Sequence, residues 1–273
     1  MADKRYIPLT SIDIALRLDL ISKVYGIEEA EKYFNNIPQK FKVLKVYGAL
    51  LNCYARAESI EKAEAVMQKM RDLGFCSRMS LTYNTILNLY YRTGNFEKLD
   101  ALVHEMEEYG ISHDKFTTGI RLSAYAAVSD IEGMEKIITE MESGTKIAFD
   151  WSSYSAAATG YRKAGLLDKA LEMLKKSERL ITSERRNTTY EILITQYAAI
   201  GKKDEVLRIW ELYKKNKKVY NKGYVSVINS VLRFDDIETA EKIFEEWECL
   251  NLVYDIRIPN FLVRTYSRKG LLC

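Results

Sequence analysis

The sequence predicts an all-α solenoid built from antiparallel helix-turn-helix repeats. Three observations lead there. The chain repeats itself about every 35 residues. Each repeat carries apolar residues at helical spacing in both of its halves. Breakers are scarce, with three Pro and thirteen Gly in 273 residues, so helices joined by short turns can follow one another along the chain.

The clearest unit runs from Ser80 to Asp114, SLTYNTILNLYYRTGNFEKLDALVHEMEEYGISHD. Aligning the chain on it gives a lead-in over 1–10 and an array over 11–273, with units starting at Ser11, Leu44, Ser80, Lys115, Trp151, Asn187, Asn221 and Ile256. The eighth unit holds only a first half.

Residues are placed below by their position in the unit. Place four is Tyr at Tyr47, Tyr83, Tyr154, Tyr190 and Tyr224. Place eleven is Tyr at Tyr54, Tyr90, Tyr125, Tyr161, Tyr197 and Tyr266. Place eight is apolar throughout: Leu18, Leu51, Leu87, Leu122, Ala158, Ile194, Ile228 and Val263. At 3.6 residues per turn these places share one helix face. The tyrosines therefore pack by their rings and keep a hydroxyl for a polar partner.

The second half brings small residues at place twenty (Ala30, Ala63, Ala170, Ala240), suited to close helix crossing, and apolar pairs at places twenty-three and twenty-four. Between the halves stand Thr93-Gly94-Asn95, Ala164-Gly165 and Ile200-Gly201, where Gly allows the left-handed cap that ends a helix. A single hairpin cannot bury its apolar face; stacked neighbours bury it jointly and leave a groove. In the last unit Leu262, Val263 and Tyr266 are expected to be partly uncovered. That points to a longer array or to a capping partner.

Composition excludes other classes. Charged residues at 29% and hydrophobic residues at 47% fit neither disorder nor a membrane protein. The net charge of +3 makes nucleic-acid binding depend on charge concentrated on one face. Cys53, Cys76, Cys249 and Cys273 form no metal or disulfide framework and fit a reducing compartment. The two histidines, His104 and His113, belong to no metal motif, and neither a phosphate loop nor a nucleophile elbow occurs. No enzyme, cofactor, small-molecule substrate or membrane span is expected. The N-terminus shows neither a signal peptide nor an obvious organellar presequence.

Places two, five, nine and thirteen form a stripe away from the tyrosine face, which should line the groove. Place thirteen is basic at Lys23, Arg56, Arg92, Lys163, Arg233 and Arg268, with Ala127 and Ala199 breaking the series. One cation per hairpin makes a track for phosphates. The plainer alternative is that each cation complements the dipole at its own helix C-terminus.

The phrases LTYNTILNLYYRTGNFEKLDALVHEMEEYGISHD, YGALLNCYARAESIEKAEAVMQKMRDLG and YSAAATGYRKAGLLDKALEML resemble the pentatricopeptide repeat. Tyr at place four, a bulky apolar residue at place eight in seven of eight units and no Pro closing a unit separate the array from the tetratricopeptide repeat. LTSIDIALRLDLISKVYGIEEAEKYFNNIP resembles a plant subgroup of plain-repeat proteins sent to mitochondria. The resemblance implies a right-handed solenoid that holds single-stranded RNA, acts in RNA metabolism without catalysis, and resides in the mitochondrion. The alternative behind it is a structural protein of an organellar ribosome or other ribonucleoprotein, and behind that a protein-interaction scaffold.

The resemblance also implies that place five and the last residue of a unit together select a base. The pairs are Ala15 with Val43, Gly48 with Met79, Asn84 with Asp114, Gly119 with Asp150, Ser155 with Arg186, Glu191 with Tyr220, and Val225 with Asp255, leaving Asn260 alone. Asn84 with Asp114 matches a familiar combination, which favours uracil. Asn84, Asp114, Ser155 and Asn260 are the base-reading candidates. Gly, Ala and Val offer no side-chain hydrogen bond, and Glu191 is expected to repel phosphate. Asp114, Asp150 and Asp255 also read as helix N-caps.

Overall fold

The computed structural model describes residues 10–75, 80–143, 149–181, 187–250 and 252–270. Among these there are fifteen α-helices and no strand. They are α1 (Ser11–Tyr25), α2 (Ile27–Asn35), α3 (Leu44–Arg56), α4 (Ile60–Asp72), α5 (Ser80–Arg92), α6 (Phe96–Glu108), α7 (Lys115–Val128), α8 (Ile131–Glu142), α9 (Trp151–Lys163), α10 (Leu167–Arg179), α11 (Thr188–Ala199), α12 (Lys203–Asn216), α13 (Asn221–Leu232), α14 (Ile237–Glu248) and α15 (Arg257–Lys269). Odd-numbered helices are the first halves of the repeats and even-numbered helices the second halves. A short 3₁₀ turn, Gln39–Phe41, links α2 to α3.

Local chemistry starts and stops these helices. Thr10 and Asp13 form a capping box on α1, with Thr10 Oγ1 accepting from the Asp13 amide at 3.2 Å and the Asp13 carboxylate accepting from the Thr10 amide at 2.9 Å. Asp150 and Ser153 form another on α9. Place fifteen ends the first helix with a positive φ at Gly94, Gly165, Gly201 and Gly270, as the turn signals require, and equally at Glu58, Ser129 and Asp235, where no Gly stands.

The chain packs as two compact units that divide within α7, between Ala124 and Tyr125. In the N-terminal unit α1 packs on α3 and α3 on α5, first helix beside first helix. One core runs through Leu18, Leu51, Leu87, Ala30, Ala63, Met67 and Met106, so places eight and twenty meet as their periodicity demands. In the C-terminal unit α11 packs on α13 and α13 on α15. Its centre is aromatic: Tyr190 stacks on Tyr213 with centroids 4.9 Å apart, and Trp210 meets Tyr224 edge-on at 5.1 Å. Gly160 lets α9 come close to its neighbours, since a Cβ there would stand 2.8 Å from Ala126 Cβ and 2.5 Å from Met134 Sδ.

At α15 the expectation of partial exposure divides. Val263 is 49% exposed, but Leu262 is buried at 5%, because it lies on the side of α15 that packs against α13 and α14.

Hydroxyls at place eleven find the partner their rings leave them. Tyr90 Oη donates to Glu64 at 2.7 Å, and Lys98 Nζ reaches the same carboxylate at 2.7 Å while lying over the Tyr90 ring. Tyr161, Glu135 and Lys169 repeat this clip, and so do Tyr54, Glu31 and Lys62. In each, the Glu belongs to the preceding hairpin. A second clip joins place four. Arg71 of α4 pairs with Glu105 of α6, which accepts from Tyr83 Oη at 3.1 Å. Lys214, Glu246 and Tyr224 match it. Between α8 and α10 the charges are exchanged, with Glu142 on the earlier helix and Lys176 on the later, 2.7 Å apart.

Candidate nucleic-acid interface

The most complete polar site joins the start of α5 to the start of α7. Asn84 Nδ2 donates to both oxygens of Asp114 at 3.0 Å. Asp114 also accepts from Ser80 Oγ at 2.6 Å and from the Phe116 and Thr117 amides at 2.8 and 2.9 Å. One carboxylate therefore caps α7 and orients the amide, so the two readings of Asp114 hold together. Burial alone would raise the Asp114 carboxyl, but hydrogen bonds from Ser80, the Thr117 amide and Asn84 outweigh it and hold the group below the usual carboxylate range. Thr117 Oγ1 completes the site by donating to Asn84 Oδ1 at 2.7 Å. Asn84 is only 7% exposed.

The other candidates are placed differently. Ser155 is buried and donates to Gln196 Oε1 at 3.1 Å, across to α11. Asn260 is exposed on α15. Glu191 is buried at 5%; it accepts from Tyr213 Oη at 3.3 Å and meets Lys222 Nζ at 2.9 Å, so its charge is already opposed. That pairing removes the reason to expect Glu191 to repel phosphate. Asp150 caps α9, accepting from the Ser152 amide at 2.8 Å. Asp255 stands one residue before the cap position of α15, which is Ile256, and instead accepts from the Arg257 amide at 3.1 Å and pairs with its guanidinium. Met79 and Arg186 lie outside the described residues.

Four of the six place-thirteen cations are engaged by carboxylates. Lys23 and Arg56 share Asp19, Arg92 pairs with Glu58 at 2.6 Å, and Arg268 pairs with Asp235 at 3.0 Å. Lys163 and Arg233 make no ion pair among the described residues. Lys23 and Arg56 close on one carboxylate, and Glu58, the partner of Arg92, follows Arg56 by two residues, so each of these three cations stands near the next. The pairs are partly to substantially exposed, where such contacts are worth about 0–1 kcal/mol. The acids were readable in the sequence: Glu58 and Asp235 stand at place fifteen, one repeat before Arg92 and Arg268. The Thr117 contact carried no such signal.

Profiles described as "PPR repeat family" and "PPR repeat" match residues 79–127 and residues 45–75 and 152–180. A mitochondrial pentatricopeptide repeat-containing protein of Arabidopsis thaliana is 48% identical over 272 residues, covering 100% of this chain and 55% of that protein. The chain belongs to the pentatricopeptide repeat family.

Another Arabidopsis relative of this pentatricopeptide-repeat chain is the large ribosomal subunit protein mL101, 38% identical, with 99% of this chain and 55% of that protein covered. The chain spans about half the length of these curated relatives. The fold is that of the maize pentatricopeptide repeat protein PPR10, with a TM-score of 0.61 at 19% identity over 96% of this chain and 38% of that one. PPR10 has also been solved in complex with an 18-nt psaJ RNA element, and that structure matches with a TM-score of 0.53 at 16% identity over 97% and 44%.

Proposed function

We propose that this chain is a non-catalytic RNA-binding array that holds single-stranded RNA against its first helices, in the mitochondrion, as part of post-transcriptional RNA metabolism. The observation that carries the reading is the Asn84–Asp114 pair, in which a helix cap aims an amide that can meet a base edge. The place-thirteen cations serve the phosphates. The likeness to RNA-bound PPR10 and to relatives named as mitochondrial supports both parts.

The test is binding of the chain to unstructured RNA across a salt series. Affinity falls with salt, and Lys163→Glu or Arg233→Glu weakens all sequences alike, lowering the salt slope by about 0.7 for each phosphate that is no longer neutralised. Asn84→Thr shifts preference at one nucleotide by roughly 1–3 kcal/mol. Binding that ignores both salt and Asn84 sinks the proposal.

A second reading is a structural protein of an organellar ribosome. The mL101 likeness favours it, as does the closure of Ser155 onto Gln196 and of Glu191 onto Lys222, each in the next hairpin. Co-sedimentation with ribosomal particles without affinity for free RNA decides for that reading.

A further inference from the structure

We propose that Thr117, on the hairpin after Asn84, sets the polarity of the base edge that Asn84 accepts. The inference rests on the base-reading role proposed for Asn84.

A carboxylate has about four lone-pair positions, and Asp114 already takes Ser80 Oγ, Asn84 Nδ2 and the amides of Phe116 and Thr117. No capacity remains there for a base, so reading falls to the Asn84 amide. That amide brings two N–H donors and an oxygen acceptor. Asp114 occupies one donor. The Thr117 hydroxyl has a single proton, and its shortest acceptor is Asn84 Oδ1 at 2.7 Å, against 3.2 Å to Asp114 Oδ1.

The Oδ1 contact is buried and Thr117 has no exposed surface, whereas the Nδ2 contacts are only part-buried. The oxygen is thus turned inward and the second N–H outward. An outward donor fits a base with a carbonyl edge, uracil O4 or guanine O6, and refuses the amino edges of cytosine and adenine. Asp114 alone orients the amide but leaves Oδ1 open to accept from an amino group. Thr117 closes that option.

The experiment is binding of the chain to a randomised RNA pool, followed by sequencing of the bound fraction, with thermal melting alongside. Thr117→Val removes the hydroxyl at similar volume, and Thr117→Ser keeps it. The expected result is that Thr117→Val loses about tenfold of the keto-over-amino preference at a single nucleotide, the same one that Asn84→Thr alters. Affinity for the whole pool stays within about twofold. Thr117→Ser behaves as the unsubstituted chain.

If Asn84→Thr moves that nucleotide and Thr117→Val does not, this inference is overturned and the base-reading role of Asn84 survives. If Thr117→Val weakens all bases alike with a lower melting temperature, Thr117 is merely structural. If Asn84→Thr changes no nucleotide, both readings fall.

Discussion

Glu58, Ser129 and Asp235 hold φ values of 53°, 59° and 57° at the place where other repeats use Gly. A left-handed conformation costs a non-glycine residue about 1–2 kcal/mol. Glu58 and Asp235 recover part of that through ion pairs with Arg92 and Arg268, each worth about 0–1 kcal/mol. Glu58→Gly relieves the first effect and loses the second, so urea unfolding should place it within about 1 kcal/mol of the unsubstituted chain. Gly165→Val, at φ 77°, has no compensation and should destabilise by more than about 1 kcal/mol. Equal effects of the two substitutions on the urea midpoint would contradict this account of place fifteen. The sequence signalled the turn at its Gly positions but not at Glu58 or Asp235, because a charged residue gives no local sign of a positive φ.

Helices are joined by polar clips as well as by apolar faces. Tyr90→Phe removes the hydrogen bond to Glu64 and leaves the ring in place, so it should cost about 1 kcal/mol. Gly160→Ala pushes α9 from its neighbours and should cost about 1–3 kcal/mol. Calorimetry on the two variants checks both values. The cap of α14 is tied to α12 by charge: Asp236 accepts from the Thr239 amide at 3.1 Å and pairs with Lys203 at 2.7 Å. Burial raises the Asp236 carboxyl, but the hydrogen bonds from Lys203 and Thr239 prevail and bring it down to about 2, from an ordinary 3.8. A folded value below the unfolded one gives stability that is complete above the ordinary value and is lost as pH falls through about 2. Asp236→Asn should therefore lower stability at neutral pH and flatten its decline between about pH 4 and pH 2. An unchanged acid limb would remove Asp236 from the account.

Across the molecule the buried phenols act together. Burial first, and then nearby glutamates, push Tyr54, Tyr83 and Tyr161 up to about 12 and raise Tyr90, Tyr197, Tyr213 and Tyr224 as well. Raised folded values mean stability that is present below the ordinary phenol range, near 10, and lost as pH rises through the folded values. Phenolate absorbance from these buried tyrosines should rise in a single step above about pH 10, together with loss of helical circular dichroism. A single smooth titration near pH 10 would show that the tyrosine seams do not hold. The sequence alone determined the repeat period, the helix faces, the Gly turns and the cation series, because each depends on spacing within one unit. Only the tertiary structure decided which polar groups stay open: it closed Ser155 and Glu191, paired Arg56 and Arg92, and set Thr117 against Asn84. Those partners come from a neighbouring hairpin, before or after, and a shift of about an ångström between hairpins makes or breaks such a hydrogen bond, a distance that residue spacing does not encode.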